Sequence, residues 1–152
     1  MFQLKHFHVK QSPDPWYISG FAEASASFTY SRSGSVVALY FGIKVSIKDL
    51  VILQGIQAFF ADIGRIYTIK ASSERRVKGA DFLYFRVNRA RDLSQLVAHF
   101  DRYPLTGSKA QQYQVWREMV RLKQRFRRPD RERLTALASQ LSNLTRAPGS
   151  LP

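Results

Sequence analysis

Cysteine is absent from the 152 residues. That excludes a disulfide scaffold and any zinc or iron–sulfur centre held by thiolates. Acids are scarce: 11 Asp and Glu stand against 24 Lys and Arg, a net charge of +13. No apolar run approaches the roughly 20 residues of a membrane span, since Lys44 and Lys48 interrupt the best stretch. The first residues, Met1 to His8, lack the apolar core of a secretory signal. The segment before Pro13 is also too short and aromatic to resemble a transit peptide. Gly-rich phosphate loops and Gly-x-Ser-x-Gly elbows are missing, so neither carries the chemistry. His6 and His8 sit in one segment and His99 far from it, and no acid or cysteine completes a zinc pattern.

What is present is apolar and basic. An apolar content of 45%, with 11 Phe, 7 Tyr and 2 Trp, rules out a wholly disordered chain. The length suits one domain that buries a core without staples. Excess positive charge points to a polyanion, nucleic acid first and an anionic membrane second. Residues 109–152 hold ten Lys and Arg against three acids, and residues 1–108 hold fourteen against eight. The body is therefore basic as well as the tail. A basic tail on a neutral domain does not describe this chain.

Periodicity divides the chain into an arm at 1–12, one domain at 13–146 and a tail at 147–152. Asp14 and Pro15 form a helix start, an N-cap followed by a first-turn proline. Trp16 to Ala24 reads as a short helix. Gly20 and Ala24 share a face there, which lets another backbone come close. That face suits either a dimer seam or packing within one chain. From Ser25 the period becomes two, giving a strand to Arg32. Ser33-Gly34-Ser35 is a turn, and a second strand runs from Val36 to Ile47. Helical spacing from Leu50 through Leu53, Ile56, Phe60 and Ile63 predicts a helix over 49–63, ended by Gly64. Strands are expected at 65–71 and 81–88, with a basic loop between them. Helices follow at 92–100, 109–125 and 131–143.

The order is helix, hairpin, helix, hairpin, helices. This is an α+β pattern, with helices on one face of an antiparallel sheet. The other face carries Ser27, Thr29, Ser31, Tyr40, Lys44, Tyr84 and Arg86. A solvated polar face is one reading. A surface that binds nucleic acid is the other, and the coincidence of hydroxyls, cations and aromatics favours it. The expected contacts are Thr29, Ser31, Tyr40, Lys44, Lys70, Arg75, Arg76, Lys78, Tyr84 and Arg86. Arg121, Arg125, Arg127 and Arg128 are expected to add affinity from the basic helices at 109–146. The Arg-rich run from Arg117 to Arg133 also reads as a solvated helix face.

The stretch Trp16-Tyr17-Ile18-Ser19-Gly20-Phe21-Ala22-Glu23-Ala24-Ser25-Ala26-Ser27-Phe28 resembles the signature of the LAGLIDADG homing endonucleases and maturases. Other segments fit in order. They are Phe41 to Asp49, Phe59 to Tyr67, Phe100 to Leu105 with Lys109, Tyr113 and Trp116, and Leu134 to Thr145. The resemblance implies an αββαββα saddle whose signature helices pack at a two-fold axis and whose sheet straddles nucleic acid. With one signature, it implies a homodimer through Gly20 and Ala24.

The resemblance also exposes departures. In the family the acid at the eighth motif position holds Mg²⁺; here that position is Ser25. Glu23, two residues earlier, points about 200° away on a helix. It matches a structural acid of the motif and is an unlikely substitute ligand. A glutamine that the family often has near the end of the second strand is matched by Ile47. Lys109 matches a basic residue near the active site. The degenerate positions are thus Ser25, Ile47 and Lys109, and no catalytic residue or metal is expected. The resulting expectation is a non-cleaving, RNA-binding protein of an organelle, mitochondrion ahead of chloroplast, with duplex DNA second to RNA. Intron RNA or a ribosome with its proteins would be its setting, and a membrane would not. The alternative is a homodimeric, Mg²⁺-dependent, site-specific DNA endonuclease.

Overall fold

A computed structural model describes residues 13–71 and 81–146. The arm, the tail, and Arg75, Arg76 and Lys78 lie outside the described residues. The chain runs α1 (Pro15–Ser25), β1 (Ala26–Ser33), β2 (Val36–Ser46), a 3₁₀ turn (Ile47–Asp49) and α2 (Leu50–Phe59). It continues through β3 (Arg65–Ile69), β4 (Phe82–Val87), α3 (Ala90–Arg102), α4 (Ser108–Arg125) and α5 (Arg131–Thr145). The strands form one antiparallel sheet in the order β1-β2-β4-β3. This is the α+β architecture expected from the alternating periods.

Local chemistry sets the boundaries. The Asp14 carboxylate accepts the Trp16 amide at 2.8 Å, and Pro15 opens α1. Ser25 closes that helix rather than opening a strand, and Ala26 turns to extended backbone. Ser33 opposes Val36 across a tight turn, with Gly34 at φ 59°. The helix expected over 49–63 begins at Leu50 and ends at Phe59, earlier than its apolar spacing suggests. Ala61 and Asp62 take φ of 57° and 59° and reverse the chain. The Gln57 amide donates to the Ile63 and Gly64 carbonyls at 3.2 Å each and holds that reversal. Ile63 is buried all the same. Its spacing reported a core position, not a helical one.

The core lies between the sheet and the helices. Phe28 on β1 is fully buried, with ring centroids 5.2–5.5 Å from Phe41, Phe100, Tyr113 and Trp116. Helix α4 is fastened to the sheet by three donors at seven-residue spacing, which share one helix face. Lys109 donates to the Ala26 carbonyl, Trp116 to Thr29 at 3.2 Å, and Lys123 to Val37.

One buried polar cluster is titratable. Ser19 Oγ donates to the Tyr103 carbonyl at 2.6 Å, so its 3.2 Å contact with His99 Nε2 needs the imidazole hydrogen on that nitrogen. His99 packs edge-on to Phe59, Phe60 and Phe100, an apolar setting that disfavours its charged form. Burial pushes its pKa down from 6.5 to about 4. A depressed histidine favours folding above its ordinary value, and that contribution is lost as pH falls from 6.5 toward 4. Thermal melts are expected to show this acid loss in the native chain and a flatter profile over the same window in His99→Gln.

Candidate nucleic-acid interface

The strand parity turns one set of side chains inward and the other outward. Inward go Ala26, Phe28, Leu39, Phe41, Ile43, Leu83, Phe85 and Val87, all buried. The register then sets the outward residues in cross-strand rows. Thr29 opposes Tyr40. Ser27, Gly42, Arg86 and Arg65 form a second row across all four strands. Lys44, Tyr84 and Tyr67 form a third.

Within this surface the cations lie on aromatic rings. The Arg86 guanidinium sits 3.9 Å from the Tyr40 ring centroid, and the Lys44 ammonium 3.6 Å from that of Phe82. Both are diagonal cross-strand pairs, held by the ring quadrupole. A Cβ at Gly42 would meet the Tyr84 phenol, so a larger residue there would push that ring aside. Ser31 donates to the Tyr40 hydroxyl at 3.1 Å. That bond, aided by the Arg86 and Lys123 charges and opposed by burial, holds the Tyr40 pKa below its ordinary value. Burial raises that of Tyr84. The result is an array of hydroxyls, amphipathic rings and fixed positive charge. It offers phosphate oxygens cations and donors, and bases flat partners.

The structure brings together Thr29, Ser31, Tyr40, Lys44, Tyr84 and Arg86 on this face. Lys70 follows β3 and is exposed. Arg121 turns instead to Asp101 on α3, at 3.4 Å, where Arg117 also binds at 2.6 Å. Arg125 lies near Phe126 beside the exposed Arg127 and Arg128, in the α4–α5 connection. Arg65 and Tyr67 belong to the face and were missed from sequence. Their signal was the outward parity of the third strand.

At the foot of α1 the geometry is equally specific. Ser25 is half-buried and ends the helix. Glu23 Oε1 accepts the Thr106 amide, the Gly107 amide at 3.1 Å and the Thr106 hydroxyl at 3.2 Å. Burial pushes its carboxyl up, but those bonds and the Lys109 charge hold it below the ordinary carboxylate value. Glu23 thus ties the end of α1 to the segment just before α4. Lys109 reaches the same place through the Ala26 carbonyl. Ile47 lies beyond β2 in the 3₁₀ turn, past the Ala26–Ile43 pairing, and is exposed. Glu23→Ala leaves those amides without their acceptor and is expected to cost about 1–2 kcal/mol. A urea unfolding curve measures that loss.

Gly20 and Ala24 are exposed, and nothing lies within 4 Å of a Cβ built at Gly20. Among the described residues this face therefore packs against no part of the same chain. Trp16 and Tyr17, 57% and 47% exposed, flank it, the Trp16 ring edge-on to Tyr103 at 5.2 Å. No helix among the described residues is long and apolar enough to cross a membrane.

Signature helix, sheet order and outward array together define a known class. The family model for LAGLIDADG endonuclease matches residues 18–120, and the chain belongs to that family. Its relatives include an uncharacterized 50.9 kDa protein in ND4 intron 1 of Podospora anserina. That protein is 30% identical over 122 residues, covering 74% of this chain and 25% of the relative. Probable intron-encoded endonuclease 3 of Neurospora crassa is 25% identical over 116 residues, covering 72% and 20%. The chain thus spans about a quarter or less of these curated relatives. The fold matches the LAGLIDADG meganuclease I-AabMI bound to uncleaved DNA, with TM-score 0.73 and 23% identity over 90% of this chain and 47% of that one. It also matches I-SmaMI bound to an uncleaved DNA target with calcium ions, with TM-score 0.74 and 22% identity over 86% and 45%.

Proposed function

We propose that this protein is a nucleic-acid-binding member of its family that does not cleave, with structured RNA as its ligand ahead of duplex DNA. The observation that carries the reading is the foot of α1. A hard dication needs charged oxygen ligands. Ser25 offers a neutral hydroxyl there, and Glu23 is engaged by the Thr106 and Gly107 amides just before α4. These residues do not fit a magnesium site, and no hydrolytic step is derived through one. Binding needs none. Cations neutralise phosphates, while exposed rings such as Tyr67, 44% exposed, stack unpaired bases.

The open face of α1 supports a homodimer through Gly20 and Ala24. Intron-encoded relatives from fungi support an organelle, mitochondrion ahead of chloroplast. There the protein would serve intron RNA or sit in a ribosome among its proteins.

The second reading is a homodimeric, Mg²⁺-dependent, site-specific DNA endonuclease. It is favoured by relatives named endonucleases and by neighbours solved on DNA. One experiment separates the two. The purified chain is incubated with duplex DNA and Mg²⁺ or Mn²⁺, and its affinities for folded RNA and duplex DNA are compared at matched salt. Intact DNA and tighter RNA binding are expected. Metal-dependent cutting that disappears in Glu23→Gln establishes the endonuclease instead.

A further inference from the structure

At one end of the sheet, the α2–β3 turn, the start of β3, the end of β4 and the first turns of α3 enclose a polar cavity of about 840 Å³. That volume lies within the roughly 300–1,000 Å³ of small-ligand sites. Arg65, Arg86, Arg89 and Arg91 line it. Asp62 and Asp92 also line it, yet neither forms a salt bridge with these arginines among the described residues. Arg86 leans on Tyr40, and the other guanidiniums are left to solvent.

The register brings two of these arginines together on neighbouring strands. Arg65 and Arg86 are direct cross-strand partners. Arg86 turns to Tyr40 on the other neighbouring strand, which leaves the Arg65 guanidinium open to an anion. Arg89 precedes α3, and no side chain caps that helix. Asp92 in its first turn offsets part of that helix end's positive charge, so the guanidiniums supply the field of the cavity. Tyr67 belongs both to this cavity and to the outward face. A strand crossing the face can thus reach the cavity without leaving the protein surface.

We propose that this cavity binds a phosphate group of a nucleic acid, with Arg65, Arg89 and Arg91 as cationic ligands and the adjoining base stacked on Tyr67. The proposal rests on the nucleic-acid reading above and extends it beyond the sheet. The phosphate is either a backbone phosphodiester or a strand terminus, since guanidinium forks suit both.

Arginine side-chain NMR of the full chain, titrated with inorganic phosphate, is expected to shift the Arg89 and Arg91 Nε signals. Arg89→Gln/Arg91→Gln is expected to bind folded RNA about tenfold or more weakly, with a salt slope lower by about 1–2. Arg89→Lys/Arg91→Lys should recover the slope, which separates lost charge from lost structure. Equal weakening for 5′-phosphorylated and unphosphorylated oligonucleotides assigns the site to the backbone. Weakening confined to the phosphorylated strand assigns it to a terminus. Unshifted arginine signals, or unchanged RNA affinity in Arg89→Gln/Arg91→Gln, overturn the cavity and leave the sheet-face reading standing. Failure of the unaltered chain to bind RNA or DNA overturns that reading, and the phosphate titration still decides the cavity.

Discussion

Phe28→Ala is expected to lower folding stability by about 3–5 kcal/mol. The ring is fully buried and touches aromatics from three other elements: Phe41 on β2, Phe100 on α3, and Tyr113 and Trp116 on α4. Truncation removes both the transfer term and its edge and tilted contacts. The neighbours cannot close the space readily. Trp116 is tied to the Thr29 carbonyl at 3.2 Å, and Tyr113 donates to Asp101 at 2.7 Å and Val97 at 3.1 Å. For a domain with about 5–15 kcal/mol in total, such a loss populates unfolded chain at moderate temperature. Calorimetry is expected to show a melting point lower by roughly 10 °C or more. Phe28→Leu, which keeps much of the volume, should cost far less. A loss below about 1 kcal/mol in Phe28→Ala would mean that the aromatic cluster does not tie β1 to α3 and α4.

The same residue shows which features of the fold were legible from sequence. Period-two alternation through Ser27 to Arg32 and Leu39 to Val45 separates inward from outward positions, and the register agrees with it. Tyr40, Lys44, Tyr84 and Arg86 therefore fall on one face by alternation alone. β3 was harder. It is a short edge strand, and its inner positions, Ile66 and Thr68, are only half-buried and exposed. Alternation is weak where burial is weak, so Arg65 and Tyr67 escaped. Long-range pairings escaped for another reason. Glu23 meets Thr106, and Lys123 meets Val37, across more than eighty positions of sequence. No local pattern encodes such a meeting. The Arg117–Asp101 pair joins α4 to α3 and removes Arg117 from the pool of unpaired cations, which charge counting alone cannot do.

At the foot of α1, residue identity said more than geometry could. Ser25, where the resemblance expects an acid, is visible in the chain itself, whereas the bonds from Thr106 and Gly107 to Glu23 form only on folding. The two observations bear on one question from opposite sides. For the proposed non-cleaving reading, one withholds a charged ligand and the other engages the nearest substitute.

Lys44→Gln/Arg86→Gln is expected to weaken nucleic-acid binding by about a hundredfold and to lower the slope of log K against log salt by about 1–2. Both cations lie flat on rings of the outward face, at 3.6 Å from Phe82 and 3.9 Å from Tyr40. Neither takes part in a salt bridge among the described residues, so neutralising them breaks no ion pair of the fold. Melting should change little. The loss applies to folded RNA and duplex DNA alike, because phosphate contacts do not read the base. Tyr67→Ala adds the discriminating measurement. Its ring is 44% exposed, and base stacking on such a ring is worth about 1–3 kcal/mol. Duplex DNA keeps its bases stacked inside the helix and offers that ring nothing comparable. If structured RNA is the ligand, Tyr67→Ala weakens RNA binding by about fivefold to a hundredfold and leaves DNA binding nearly unchanged. Equal small effects on both, measured by fluorescence anisotropy at matched salt, would assign the face to duplex DNA.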